Sequence, residues 1–327
     1  MKNSVVMVTG GSGFIGSHLL ERLLQDDNEV HVLDITPLEQ ALNLKDVINH
    51  PKLHYVQGDL RKMEDIESFW IPDAKVIYHL ASVVGIKNYI SDPLKLIDTV
   101  VIGTRYLLEV ANKYGTKVIY SSTSEIFGKN PRVPWREDGD RVLGPTYVDR
   151  WSYSSSKSVC EHMLYGNYKR AKLPFSIVRF FNVYGPRQNP YFVVSQSVYK
   201  ALRGEQPLMY DDGSMTRCFT YVGDIVDGLI LVAENEKADG QAFNLGNNVE
   251  VSVRDVIRIV LDETGNQTNY CVFDTQKEYG KKYEDIIRRV PDVSKAYECL
   301  GWKASVQIEE GIRRTVNWAK ENDWWLK

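Results

Sequence analysis

The stretch VTGGSGFIGSHL, residues 8–19, determines how the chain begins to fold. It follows a β-branched run, places Gly10, Gly13 and Gly16 three residues apart with Gly11 beside the first, and continues with the apolar spacing of a helix. Glycines permit a tight turn and a close approach of strand and helix, and the first turn of a helix presents unpaired backbone N–H groups. The stretch therefore predicts a strand, a glycine-rich turn and a helix whose N-terminus can bind an anion.

Similar strand-like runs recur along the chain, most of them separated by segments long enough for a helix. Strands are predicted at residues 5–9, 30–34, 53–57, 76–80, 118–122, 175–180 and 242–245. Helices are predicted at residues 13–24, 92–114, 151–172, 191–204, 224–234 and 253–263. This alternation is typical of an α/β protein with a doubly wound parallel sheet.

Strands become sparse after residue 180, which indicates a second, smaller part. We predict one domain from residues 1–182 with 219–246, and a smaller C-terminal α/β lobe from 183–218 with 247–327. A chain of 327 residues can bury a core of this size without disulfides or metals.

Composition narrows the range of partners and locations. The four cysteines are far apart and form no CxxC pair, so we expect free thiols in a cytoplasmic protein and no metal site. The net charge of −3, without a Lys/Arg-rich run, is not typical of a nucleic-acid-binding protein. No apolar run approaches the roughly 20 residues of a membrane span, so we expect no membrane partner and a small-molecule ligand instead.

Asp34 gives the glycine turn a specific interpretation. It closes the second predicted strand, eighteen residues after Gly16, where a carboxylate can accept hydrogen bonds from both ribose hydroxyls of a dinucleotide. The residues after it, Ile35-Thr36-Pro37, include no cation that could neutralise a 2′-phosphate. The sequence therefore predicts an NAD site rather than an NADP site.

Two further segments are expected to line the same groove. Asp59 follows the third strand and is a candidate adenine contact, and HLAS at 79–82 ends the fourth strand. His79 itself lies within an apolar strand, so we expect a packed, hydrogen-bonded histidine rather than a catalyst.

Tyr153 and Lys157 are the candidate proton-transfer pair. Their spacing of four places both side chains on one face of a helix. A nearby ammonium and the positive nicotinamide ring favour the phenolate, so Tyr153 can take a proton from a sugar-like hydroxyl while the same carbon loses a hydride to NAD.

These motifs together resemble the extended short-chain dehydrogenase/reductase superfamily of NAD-dependent nucleotide-sugar epimerases, dehydratases and decarboxylases. The resemblance covers essentially the whole chain and rests on TGGSGFIG, Asp34, HLAS, SSTSE, Tyr153-xxx-Lys157, RFFNVYGPR and RCFTYVGD. It implies a Rossmann-type domain with a nucleotide-sugar-binding lobe, and a homodimer formed through the helices at 92–114 and 151–172.

The resemblance also implies the site residues. Thr123 would bind the sugar's C4 hydroxyl, and Lys157 would hold both Tyr153 and the nicotinamide ribose. Ser124, Asn182, Arg187 and Arg217 would bind the substrate. Asn182 and Arg187 would reach its nucleotide diphosphate, and Arg217 would reach either the diphosphate or the sugar. The cofactor contacts implied in addition to Asp34 are Gly10, Gly13, Phe14, Ile15, Gly16, Asp59, Leu60, Leu80, Ala81, Ser82, Thr99, Ser121, Tyr153 and Lys157.

Glu125, two residues after Thr123, is not needed for oxidation at C4. In an extended segment it would project on the same side as Thr123 and reach C5, although a loop or helix-cap carboxylate is the alternative. STSE resembles UDP-glucuronate decarboxylases and GDP-mannose 4,6-dehydratases, whereas dTDP-glucose dehydratases usually carry Asp where this chain has Ser124. The segment YGKKYEDIIRRVPDVSKAYECLGW near the C-terminus also resembles the UDP-glucuronate decarboxylase domain of the lipid A aminoarabinose pathway.

Decarboxylation of a UDP-hexuronate is therefore the favoured reaction, with Glu125 acting at C5. A nucleotide-sugar dehydratase, a 4-epimerase and a 4-dehydrogenase are the enzymatic alternatives. An NAD-bound redox sensor or scaffold is the non-enzymatic one, which the intact Thr123, Tyr153 and Lys157 disfavour.

Overall fold

The computed structural model describes residues 1–274, 277 and 286–327. Its centre is a seven-stranded, entirely parallel sheet in the order β11-β6-β5-β4-β1-β2-β3. The strands of the described chain are β1 Val5–Thr9, β2 Glu29–Asp34, β3 Leu53–Gln57, β4 Val76–His79, β5 Lys117–Thr123, β6 Phe175–Phe180, β7 Val183–Tyr184, β8 Leu208–Tyr210, β9 Thr216–Arg217, β10 Thr220–Tyr221, β11 Gln241–Leu245, β12 Val251–Ser252, β13 Cys271–Phe273 and β14 Arg288–Arg289.

Helices pack on both faces of this sheet because its strands are apolar on both faces. Val6 and Val8 contribute to the core on one face, whereas Met7, between them, contributes to the core on the other. The helices of the described residues are α1 Phe14–Gln25, α2 Met63–Phe69, α3 Ile86–Ser91, α4 Pro93–Ile97, α5 Gly103–Tyr114, α6 Arg150–Ala171, α7 Val193–Leu202, α8 Val222–Glu234, α9 Val253–Thr264, α10 Ser294–Leu300, α11 Ile308–Lys320 and α12 Asp323–Leu326.

The predicted doubly wound parallel sheet is confirmed, and each of its seven predicted strands occurs within one residue of its expected bounds.

The helix predicted over 92–114 is not a regular α-helix. Asp92 caps α4 by accepting the backbone N–H of Lys95 at 2.9 Å, and a π-helical turn over Asp98–Ile102 separates α4 from α5. Thr99, one of the expected cofactor contacts, lies in this turn.

The remaining residues form short strands and a separate core. β7 to β10 and β12 to β14 pair in two- and three-stranded sheets, and α7, α9 and α11 share an apolar cluster that includes Val198, Val256 and Val316. The division of the chain into a cofactor domain and a sugar lobe stays a prediction. None of the helices at residues 1–274 or 286–327 is long and apolar enough to cross a membrane.

Candidate active site

The carboxyl ends of the central strands lie at one edge of the sheet. The order of strands reverses at β1, with β2 on one side and β4 on the other, and a cleft opens where such a reversal occurs. Asp34, His79 and Thr123 are the last residues of β2, β4 and β5. Residues from distant parts of the sequence are thereby brought to one cleft.

The glycine turn between β1 and α1 has the conformation that the sequence predicted. Gly10 has φ +75°, and a Cβ atom at Gly16 would lie 2.2 Å from the carbonyl oxygen of Gly10. Gly13 precedes α1 as its N-cap and adds no side-chain hydrogen bond, so the backbone N–H groups at this helix end face the cleft edge without a side-chain cap. The turn therefore fits a pyrophosphate group.

Asp34 is buried next to this turn. Its carboxylate accepts the backbone N–H of Ser12 at 2.9 Å and that of Thr36 at 3.0 Å. These bonds fix the carboxylate at the end of β2, where it suits ribose hydroxyls.

Asp59, by contrast, is paired with Arg61, which holds the pKa of the Asp59 carboxyl below its usual range through hydrogen bonds. Its contact with adenine stays a prediction.

His79 is a packed residue, as the sequence predicted. Its two ring nitrogens lie 2.7 Å from Thr9 Oγ1 and 3.0 Å from Thr104 Oγ1. Burial, together with the charge of Lys157, lowers the pKa of His79 to about 3, so the ring is neutral. His79 therefore supports the strand ends that carry the site.

Lys157 lies on α6 and contacts the end of β5. Its Nζ donates to the carbonyl oxygen of Ser121 at 2.8 Å and lies 5.9 Å from the centre of the Tyr153 ring. Ser121 Oγ in turn donates to the carbonyl oxygen of His79 at 2.9 Å. Burial lowers the pKa of Lys157 to about 8, against the opposing effects of Cys160 and Glu161.

Tyr153 is buried on the same face of α6 as Lys157. Burial, followed by the charge of Glu125, raises the pKa of Tyr153, while hydrogen bonding to Ser82 and Thr123 lowers it. The pKa of Tyr153 in the protein alone is thus raised, although the sequence led us to expect a stabilised phenolate. The tyrosine nevertheless lies among the expected partners Thr123, Ser82 and Lys157.

The sequence analysis placed Glu125 in an extended segment, but the structure does not continue β5 to this residue. β5 ends at Thr123, and Ser124–Phe127 form a 3-10 helix whose first turn is capped by Thr123 Oγ1, which accepts the backbone N–H of Glu125 at 3.1 Å. Ser124 is buried at the start of this turn. The turn directs the Glu125 carboxylate toward two arginines.

Arg150 and Arg289 hold Glu125 between them. Arg150 donates from Nη2 to Oε1 at 3.0 Å and from Nε to Oε2 at 3.2 Å, and Arg289 Nη2 lies 2.6 Å from Oε1. The Arg150 side chain is only 3% exposed. Two guanidiniums that meet one carboxylate at the end of β5 form what we call the arginine pair.

Arg217 lies beside the arginine pair. It is the register partner of Arg289 in the parallel pairing of β9 with β14, so both side chains project from one face. Its Nη1 donates to the carbonyl oxygens of Thr216 at 2.8 Å and Ile287 at 3.1 Å. Of the two roles considered for Arg217, this placement favours the sugar end of a substrate.

Asn182 lies between β6 and β7, and Arg187 lies in the loop after β7. Asn182 has φ +37°, and its Oδ1 is buried without a hydrogen-bond partner among the described residues. Arg187 forms an ion pair with Glu21 of α1. The expected contacts of both residues with a diphosphate stay predictions.

Sequence reasoning missed three residues of this site. Arg150 was detectable in principle, because residues 150, 153 and 157 share one face of α6. Tyr89 of α3 stacks on Tyr153 with ring centres 4.9 Å apart, and Arg289 comes from β14, far along the chain. No local pattern links these last two to Glu125 or Tyr153. The C-terminal motif that suggested a decarboxylase falls partly on residues 279–285, outside the described residues.

A buried ion pair shows how α6 is fixed against the sheet. Arg179 of β6 bonds both oxygens of Glu161, at 2.7 and 3.0 Å, and Ser122 Oγ donates to the same carboxylate at 2.5 Å. Glu161 lies one helical turn after Lys157. The network therefore holds the helix that carries Tyr153 and Lys157 against the strand that carries Thr123.

A parallel sheet with a glycine turn, a buried carboxylate at the end of β2 and a Thr-Tyr-Lys group is the arrangement of an extended short-chain dehydrogenase/reductase. The family model for GDP-mannose 4,6 dehydratase matches residues 7–315, so the chain belongs to that family of nucleotide-sugar enzymes.

Individual relatives cover almost the whole chain. A UDP-N-acetyl-alpha-D-glucosaminuronate decarboxylase of Bacillus cytotoxicus is 36% identical over 96% of this chain and 97% of its own. UDP-glucuronic acid decarboxylase 1 of Xenopus tropicalis is 32% identical over 97% of this chain and 72% of its own. Among solved structures, an epimerase from Methanothermobacter thermautotrophicus superposes with a TM-score of 0.90 at 27% identity, covering 99% of this chain and 94% of that one.

Proposed function

We propose that the protein is an NAD-dependent decarboxylase of a UDP-hexuronate. The observation that carries this proposal is the arginine pair, Arg150 and Arg289, which converges on Glu125 at the end of β5. Guanidinium groups bind carboxylates in a planar, two-pronged geometry, and this pair already holds one carboxylate. A substrate with a carboxylate at C6 therefore suits the site better than a neutral hexose.

The residues around Tyr153 supply the first step. Bound NAD provides a hydride acceptor for C4 of the sugar. Tyr153 takes the proton of the C4 hydroxyl, Thr123 binds the same oxygen, and Lys157 holds the Ser121 carbonyl and positions the helix. Burial raises the pKa of Tyr153, and the positive charge of a bound nicotinamide ring would favour the phenolate.

The second step depends on the product of the first. A ketone at C4 makes the C6 carboxylate part of a β-keto acid, so the C5–C6 bond breaks, CO2 leaves and C5 gains a proton. Glu125 and a substrate carboxylate would repel each other in isolation. The arginine pair offsets that repulsion, and Glu125 orients both guanidiniums toward C6 and relays the proton to C5.

A UDP-sugar is favoured because both decarboxylase relatives are named for UDP-hexuronates. These two relatives differ in the substituent at C2 of the sugar, so both substrates belong in a test. A 4-epimerase is the second candidate, favoured by the structural likeness to the Methanothermobacter epimerase. It would need Tyr153 and Thr123 but not a pair of arginines at C5.

The decisive experiment supplies UDP-glucuronate, UDP-N-acetylglucosaminuronate and UDP-glucose in turn, with NAD, and measures CO2 release and product mass. We expect one hexuronate to lose CO2 and yield a UDP-4-keto-pentose with NADH, or the UDP-pentose if NADH returns its hydride to C4. We expect no CO2 from UDP-glucose. A hexuronate that is converted only into its C4 epimer would overturn decarboxylation and favour the 4-epimerase.

Arg289→Ala tests the arginine pair directly. We expect CO2 release to fall by about two decades, since a group that binds the reacting carboxylate is lost. Arg288→Ala is the matched control, because the neighbouring Arg288 is exposed and paired with Glu250 instead. Equal activity in the two variants would show that Arg289 does not contact the reacting part of the substrate.

A homodimer formed through α4, α5 and α6 is also proposed. Leu94, Ile102 and Val159 are exposed apolar residues on these helices or the turn between them, and Leu94 is 71% exposed. Burying such side chains against a second copy would be favourable. Sedimentation at micromolar concentration should give twice the chain mass, and a monomer there would contradict the proposal.

The cytoplasmic location likewise stays a prediction.

A further inference from the structure

Two histidines and a glutamate meet on the outer strands of the sheet, away from the cleft. Glu29 and His31 lie on β2, and His54 lies on β3, the edge strand. His31 is the register partner of His54, and Glu29 precedes His31 by two residues, so the three side chains project from one face. Asp34, the cofactor residue, is at the other end of β2.

The distances between these side chains are those of ligands that share an ion. Glu29 Oε1 lies 3.3 Å from His31 Nε2 and 3.1 Å from His54 Nε2, and the three atoms lie within 4.8 Å of one another. Ligands about 2.0–2.1 Å from a tetrahedral zinc ion lie roughly 3.3 Å apart. Both separations from Glu29 already match that value.

Only the separation between the two histidine nitrogens would have to change for all three ligands to share an ion. The two imidazole rings are stacked, with centres 4.5 Å apart and planes inclined by 20°. His54 is on the exposed side of the pair, with 44% of its side chain accessible, and a change in its side-chain torsions can bring its Nε2 toward the other two ligands. The strands themselves hold the three Cα atoms in register, so the backbone need not move.

We propose that Glu29, His31 and His54 bind a divalent transition-metal ion of the zinc type, with water in the fourth position. Two imidazole nitrogens and a carboxylate suit Zn²⁺, Co²⁺, Ni²⁺ or Cu²⁺ rather than Mg²⁺ or Ca²⁺. Glu29 is 47% exposed, which leaves room for the water. The ion would link the edge strand β3 to β2, so the site is a structural clip and is independent of the proposed reaction.

The sequence predicted no metal site because its four cysteines are far apart and form no CxxC pair. His31 and His54 are separated by a helical turn and a loop, and only the parallel register places them side by side. Without an ion, Glu29 serves as a hydrogen-bond acceptor for the two rings, which is the alternative that the experiment must distinguish.

The experiment titrates chelator-stripped protein with Zn²⁺ against a chromogenic chelator, and with Co²⁺ while the visible spectrum is recorded. We expect one ion per chain, and a cobalt spectrum of tetrahedral type. His54→Ala and Glu29→Gln should each weaken binding at least about tenfold. His162→Ala and Cys271→Ser are the controls, because each removes an exposed candidate ligand outside the cluster, and neither should change the affinity.

Thermal melting gives a second readout. Zn²⁺ should raise the melting temperature of the wild type and of both controls, since an ion that binds only the folded state stabilises it. It should not raise that of His54→Ala, whose metal-free melting temperature shows whether the variant is folded. Equal zinc affinity in the wild type and His54→Ala, or no bound ion in the wild type, would overturn the proposal.

Discussion

The glycine turn and the arginine pair serve the same cleft but are assembled in different ways. The turn at residues 10–16 comes from one continuous segment, and its geometry depends on Gly10 at φ +75° and on the missing Cβ of Gly16. The arginine pair consists of Arg150 on α6 and Arg289 on β14, and both contact Glu125, which follows the end of β5. The first is a local backbone requirement, whereas the second is a contact among three distant segments.

In the proposed function, the turn would serve cofactor binding and the arginine pair would serve reaction specificity. A backbone turn can bind a pyrophosphate in many enzymes, because it recognises a shared group. In the proposed reaction, the charged groups near C5 would determine what happens to the C4-keto sugar after oxidation. We therefore expect changes in the turn to alter cofactor affinity and changes at the arginine pair to alter the product.

Tyr153→Phe should have the largest effect, because Tyr153 lies between the two regions and the first step depends on it. We expect turnover to fall by roughly two to four decades, with binding of NAD and nucleotide sugar retained. Steady-state kinetics and ligand titration measure the two effects separately. Tyr165→Phe is the control, since Tyr165 lies on the same helix but packs on Phe175. Turnover near the wild-type value would exclude Tyr153 as the base.

Glu125→Gln should separate the two chemical steps. We expect NADH to form in a single turnover, while the final product falls by roughly two decades and a C4-keto sugar accumulates. Absorbance of NADH and mass spectrometry of the sugar report the two steps.

The variant also leaves Arg150 and Arg289 without their carboxylate, so its melting temperature must be recorded with the kinetics. If a folded variant forms product at the wild-type rate, or if both steps slow equally, the role at C5 is wrong.

Asp34→Ala should weaken NAD by about tenfold and narrow its advantage over NADP, because the ribose acceptor and its negative charge are lost together. Asp34→Asn keeps an acceptor for the Ser12 N–H and removes the charge alone. Titration with both cofactors compares the three proteins. Unchanged affinities in the alanine variant would mean that the glycine turn and Asp34 do not form one site.

The pH dependence of stability should report the burial of Lys157, which lies beside Tyr153. Its pKa is about 8 in the folded protein and 10.5 as a free side chain, so the unfolded chain binds more protons between these values. Stability conferred at this residue therefore rises with pH, by about 1 kcal/mol between pH 8 and pH 9. Urea unfolding of the wild type relative to Lys157→Met measures this increase. A difference that does not change with pH would show that Lys157 is not desolvated.

The predictable part of the site comes from residues that are close in sequence. The turn, Asp34 at a strand end, and the Tyr153–Lys157 spacing are set by strand and helix geometry, and the structure places them in one cleft. The conformation of Glu125 was not predictable in this way. The backbone changes from strand to 3-10 helix between Thr123 and Ser124, and no sequence pattern marks that position. The raised pKa of Tyr153 depends on burial and on Glu125, which no spacing reveals.

The sequence alone determined the α/β fold and the parallel sheet, because periodic apolar runs and glycine positions act through local geometry. It indicated the class of enzyme through the resemblance of its motifs to a known superfamily. Tertiary structure alone decided that Arg150 and Arg289 meet at Glu125 and that His31 lies beside His54. Long-range contacts depend on the order and register of strands, and an arginine or a histidine carries no local sign of the partner it will meet. For that reason the sequence was sufficient to predict the glycine turn and to favour decarboxylation, whereas the arginine pair and the proposed metal site rest on contacts seen only in the folded chain.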